Sequence, residues 1–92
     1  MKRDIGDDEI FKKALAKWGR ESQIGMVYEE CGELITALNQ FHRGRIGLAE
    51  VIDEVADVTI MIKQLSYILG YERVNDRVAF KMTVLCDKVN TK

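Results

Sequence analysis

Carboxylates at three-residue spacing are the feature of this chain that could do chemistry. EECGEL, residues 29 to 34, holds Glu29, Glu30 and Glu33, and EVAD, residues 54 to 57, adds Glu54 and Asp57. Each is a hard oxygen donor and, at neutral pH, an anion. Gathered in one place they repel one another and lose hydration, a cost that can exceed the worth of ordinary contacts. A hard divalent cation removes it, and Mg²⁺ in particular takes oxygen ligands and shares them with substrate phosphates. Nucleophilic side-chain constellations are not available: His42 is the only histidine and falls at the end of a helical pattern, and Cys31 lies on an apolar line.

Whether the acids can meet depends on the elements that carry them. Apolar periodicity predicts four helices and no strand. The first runs from about Asp8 to Trp18, with Asp7 as its N-cap, an apolar line of Ile10, Phe11, Ala14, Leu15 and Trp18, and Gly19 at its end. The second runs from about Glu21 to His42 along Ile24, Val27, Cys31, Leu34, Ile35, Leu38 and Phe41. RGRIG, Arg43 to Gly47, interrupts the pattern. The third runs from about Leu48 to Leu69 along Val51, Val55, Val58, Ile62, Leu65 and Leu69, and Gly70 closes it. The fourth runs from about Glu72 to Val89 along Val74, Val78, Met82, Leu85 and Val89. This is an all-α chain, a single domain over residues 1–92, expected to form a helical bundle.

Residues three or four apart share a helix face. Glu30 and Glu33 therefore align with Gln23, Met26, Ala37 and Phe41, while Glu29 is rotated outward. Glu50, Asp53, Glu54 and Asp57 align with Met61 and Ile68. Both acidic lines run into apolar residues, whereas a solvated face would stay polar along its length. An antiparallel hairpin about residue 45 sets Glu33 level with Asp57, and Glu30 and Glu54 fall within about one turn of that level at a rise of about 1.5 Å per residue. Four carboxylates from two helices can thus converge. An acidic pair on its own is ordinary surface decoration; two pairs at matched height beside apolar lines make a metal site as good an account.

Composition narrows the partners. The 92 residues are 47% hydrophobic and carry a net charge of -1. So short a chain buries only a thin core, and the apolar surplus suggests self-association. No global field draws it to nucleic acid or anionic lipid. No apolar run approaches the roughly 20 residues of a membrane span, and MKRDIGDDEI lacks the apolar stretch of a signal peptide. Cys31 and Cys86 have no CxxC spacing and read as reduced core residues of a cytoplasmic protein.

EECGEL followed by DEVADV resembles the ExxE…ExxD signature of the MazG-like nucleotide pyrophosphohydrolases, an all-α superfamily that also includes dimeric dUTPases and phosphoribosyl-ATP pyrophosphohydrolases. KWGRESQIGMVYEECGELITALNQFHRGR is similar to their short, single-domain branch, and the resemblance extends over roughly residues 11 to 85. It implies a homodimer or homotetramer, Mg²⁺ held at Glu30, Glu33, Glu54 and Asp57, and hydrolysis of a nucleoside triphosphate to the monophosphate and pyrophosphate. Mn²⁺ is the natural substitute ion. Trp18 and Gln23 resemble residues at the edge of that family's nucleobase pocket, although Trp18 also continues the first helix's apolar line as a core anchor. Relatives carry Lys, Asn and Arg in the last helix to hold phosphates; here KMTVLCDK supplies Lys81 alone. Arg77, Lys81 and Lys88 share one face, which suits either phosphate contact or plain solvation. A carboxylate not used by metal, Glu29 or Asp53, is the candidate acceptor for the proton of an attacking water. The competing reading is a non-catalytic helical interaction protein whose acids pair with basic residues of a partner. A di-iron centre lacks its Glu-x-x-His elements.

Overall fold

Glycines punctuate this chain, and their backbone geometry explains why. The computed structural model describes residues 6–91, which form α1 (Gly6–Trp18), α2 (Arg20–His42), α3 (Leu48–Leu69) and α4 (Tyr71–Asn90), with no strand among the described residues. The all-α expectation and the four helices hold. At the end of α2, the Gly44 N–H donates to the Phe41 carbonyl at 2.9 Å and the Arg45 N–H to the Gln40 carbonyl at 2.9 Å. This is a Schellman closure, and Gly44 provides its left-handed residue at φ 75°. Gly70 alone links α3 to α4, at φ 112° and ψ 109°. A β-carbon there would meet only the Arg73 side chain, at an ordinary 3.6 Å, so any penalty is conformational. Gly70→Ala is expected to destabilise the fold by about 1–3 kcal/mol, read as a lowered denaturation midpoint.

Asp7 is not an N-cap. It lies inside the first turn of α1 with Asp8 and Glu9, where carboxylates offset the positive end of the helix dipole. The expectation that the chain opens without a signal peptide concerns residues 1–10, of which 1–5 lie outside the described residues.

The short Schellman turn returns α3 antiparallel along α2, and this hairpin is the most extensive contact in the chain. α1 packs on both helices of the hairpin, while α4 packs on α3 and reaches α1 through Tyr71, whose side chain hydrogen-bonds that of Asp8. Among the described residues, Phe11, Ala37 and Val51, one each from α1, α2 and α3, are the buried hydrophobic ones. Phe11 anchors α1: its ring lies 6.4 Å from that of Tyr67, which in turn meets Tyr71 edge-on at 6.1 Å. The Gln64 amide, itself buried, donates to the Phe11 carbonyl at 3.4 Å. An ion pair of 4.0 Å between Lys63 and Asp7 adds little at this exposure.

Much of the expected core is open in the single chain. Trp18 is 56% exposed and is no core anchor; the Lys17 ammonium lies over its ring at 5.3 Å. Cys86 is exposed and Cys31 only half-buried, both as free thiols, so neither is a core cysteine. On α4 no residue is buried: Val78, Met82, Leu85 and Val89 are exposed and Val74 is half-buried. The helical periodicity is real, but beyond Tyr71 at its start α4 has α3 alone to lie against among the described residues, and one neighbour cannot cover a stripe along a helix of twenty residues.

Candidate metal centre

The α2–α3 hairpin brings together three of the four carboxylates expected to converge. Glu30 and Glu33 on α2 and Glu54 on α3 each place a carboxylate oxygen within 4.8 Å of the other two. Oε1 of Glu30 and Oε1 of Glu54 are shielded from solvent and have no hydrogen-bond partner. The rest of each side chain remains partly open, and Glu33 is exposed. Among the described residues no lysine or arginine lies within 4.0 Å of these carboxylates.

This crowding disturbs the acids. Partial burial raises the Glu30 carboxyl above its ordinary value of 4.5, and the charges of Glu33, Asp57, Glu54 and Glu29 push it further in the same direction. Glu54 is raised for the same first reason, then by Glu33, Asp57 and Asp53. Asp57 therefore lies close enough to act on both glutamates, though it stands outside the tight trio and is exposed. Glu50, on the same line of α3, is used differently: its Oε1 accepts from the Gly47 N–H at 3.0 Å and closes the first turn of the helix.

Beside the trio runs an open groove of about 550 Å³, lined by Glu29, Glu33, Glu54, Tyr28, Gly32 and Gln40 among others. Glu29, rotated outward on α2, thus faces the groove, whereas Asp53 does not line it. Tyr28, Gly32, Thr36 and Gln40 went unmarked in the sequence reading as a groove wall. Their signal is a four-residue spacing along one ridge of α2, next to the acidic line. Gly32 leaves open space in that wall, with nothing within 4 Å of where a β-carbon would stand.

The other expected substrate contacts lie elsewhere in the single chain. Gln23 is buried, 2% exposed, and its amide reaches the Met26 sulfur at 3.9 Å. Trp18 lines a separate groove with Ile10, Lys13, Ala14 and Lys17. Lys81 lines a third, of about 450 Å³, with Arg73, Arg77, Val74, Val78 and Leu69. None of the three lines the groove that holds Glu33 and Glu54.

Comparison of the chain with protein-family models, with curated proteins and with solved structures returned no match in any of the three.

Proposed function

We propose that the protein is a Mg²⁺-dependent nucleoside triphosphate pyrophosphohydrolase that acts as a homo-oligomer. One observation carries this reading: three glutamates from two helices share one place, and two of their oxygens are shielded and unpartnered. Such oxygens are costly as bare anions and suited to a cation. The donor set is all oxygen, which fits a hard divalent ion and excludes the nitrogen- and sulfur-rich sites of softer metals. The likeness of EECGEL and DEVADV to MazG-like motifs supports the same chemistry.

Glu30, Glu33 and Glu54 would hold the ion, with Asp57 beside them. When bound, Mg²⁺ supplies charge stabilisation to phosphate oxygens and acidity to water. The chain's own residues do the rest. Glu29, on the groove wall next to Glu33, accepts a proton from the attacking water. The water oxygen bonds to the α-phosphorus, the α–β anhydride bond breaks, and pyrophosphate leaves. The groove ridge of Tyr28, Gly32 and Gln40 receives the nucleoside: the tyrosine ring offers a stacking face and the glutamine amide offers both a donor and an acceptor.

The direct test is pyrophosphate release from a panel of ribo- and deoxyribonucleoside triphosphates with Mg²⁺ or Mn²⁺. No release from any of them, together with no thermal shift on adding either metal, would leave the non-catalytic interaction protein as the better account. A second variant probes the groove. Gly32→Leu removes a helix-interior glycine that costs about 0.5–1 kcal/mol and fills open space with a side chain. The expected outcome is a melting temperature at or above wild type together with a raised KM. An unchanged KM would move the nucleoside away from this wall.

A further inference from the structure

The groove between the end of α3 and the first half of α4 joins two kinds of surface. Leu69, Val74 and Val78 give it an apolar lining, and Arg73, Arg77 and Lys81 stand along it at four-residue spacing, one row of the helix. Its volume of about 450 Å³ falls in the range of small-molecule sites. No member of the carboxylate trio lines it, so it is a separate place on the molecule. Phe80 and Val84, exposed on another side of α4, line a neighbouring groove that shares Lys81 and includes Lys88.

The cations of this groove are positioned without acids. Among the described residues no carboxylate lies within 4.0 Å of any of the three. The stem of Arg73 lies against Gly70, with Cδ and Nε 3.6 Å from where a β-carbon would stand. The Arg77 guanidinium lies over the Phe80 ring at 4.8 Å. Both arginines are thus placed by contacts that leave their planar forks without a carboxylate. The acids of α4 stand apart: Glu72, Asp76 and Asp87 fall more than a quarter turn round the helix from the centre of the groove. A net charge of -1 for the whole chain therefore conceals a local positive field beside an apolar wall.

We infer that this groove is a binding site for a single-chain carboxylate, an organic anion with an apolar body, whose head pairs with Arg73 and Arg77 and whose chain lies on Leu69, Val74 and Val78. Charge and lining together select this class. A bare polyanion would leave the apolar lining unused. A neutral apolar ligand would strip water from three cations and give them no partner. Guanidinium forks match a carboxylate through two parallel hydrogen bonds, and a low-dielectric wall strengthens such a pair. Lys81 adds charge, and its methylene stem extends the apolar lining. Leu69 belongs to α3 and the other lining residues to α4, with Gly70 alone between the two helices. A ligand here therefore bridges both helices and fixes the angle between them. The inference depends neither on the metal reading nor on self-association.

The test is calorimetric titration of the full chain with decanoate in EDTA, with thermal melts on the same samples. One decanoate per chain is expected, with a melting temperature that rises with decanoate concentration. Decanol, which has the same chain and no charge, is expected to bind about tenfold more weakly or worse. Arg77→Gln is expected to weaken decanoate about tenfold, whereas Lys88→Gln, outside the groove, leaves it unchanged. Because a variant can act through stability, each is first melted without ligand, and the comparison of carboxylate with alcohol on wild type decides independently. Equal binding of decanol, or no binding of decanoate, overturns the inference. So does displacement of decanoate by metal-free pyrophosphate, which would assign the cations to substrate phosphates. Cosedimentation with phosphatidylserine–phosphatidylcholine vesicles by a chain that ignores decanoate also overturns it, and would make this face a lipid-docking surface.

Discussion

Glu33→Gln is expected to abolish metal-dependent pyrophosphate release while leaving the metal-free protein as stable as wild type, or more so. The substitution keeps the size of the side chain and removes one charge from the trio. Loss of one ligand withdraws several kcal/mol of charge stabilisation from the transferring phosphate, a drop on the order of a thousandfold in rate. The stability effect runs the other way because Glu33 is the largest charged neighbour acting on both Glu30 and Glu54. Without its charge, both shielded carboxylates lie in a milder field. An ordinary structural residue behaves differently, since its loss lowers activity through stability. The opposite movement of the two readouts therefore marks a binding site. Glu72→Gln, an exposed acid at the start of α4, should change neither readout. Were Glu33→Gln to retain full activity, or to melt well below wild type without metal, the trio would be a structural cluster and not a ligand set.

The same residues show how far the chain could be read before any coordinates. The approach of Glu30, Glu33 and Glu54 was legible because helix geometry is rigid: a fixed rise and a turn centred near residue 45 dictate which positions of α2 and α3 come level, although Asp57, expected level with Glu33, stands outside the trio. Glu50 was placed on the correct line but not in its role, because capping by a side chain depends on the turn before the helix as much as on periodicity. The groove wall was missed for a related reason. Tyr28, Thr36 and Gln40 are neither apolar nor acidic as a set, so no pattern of hydropathy or charge singles them out; their four-residue spacing acquires meaning only beside the trio. The core was over-read on α4. Periodicity reports that a helix has an apolar face, and Val78 and Leu85 obey it, but periodicity does not say whether the surface that covers the face belongs to the same chain. Trp18 illustrates the same limit at smaller scale: it continues the line of Phe11, yet only Phe11 has Tyr67 to pack against.

Acidity gives the second large effect, and its sign depends on metal. Glu30 and Glu54 have folded-state values above the 4.5 of an ordinary glutamate. Between 4.5 and those raised values the folded chain holds more protons than the unfolded chain, so metal-free stability must fall as pH rises through the window. Below the window both carboxyls are neutral in either state and the repulsion is absent; above it the repulsion is fully present in the folded chain. Mg²⁺ reverses the slope. Ligand carboxylates bind the ion only when deprotonated, so the stabilisation it brings grows with pH. At a hundredfold excess over Kd it amounts to about 2.7 kcal/mol, roughly 10–20 °C in melting temperature for a chain of this size. Melts across this range, with EDTA or with saturating Mg²⁺, should therefore coincide at the acid end and separate steadily above the window. In Glu33→Gln the separation should be much reduced, and the metal-free decline should be smaller and end at lower pH. A metal-free melting temperature that climbs through the window, or a Mg²⁺ shift that does not change with pH, would contradict shielded carboxylates gathered around a cation.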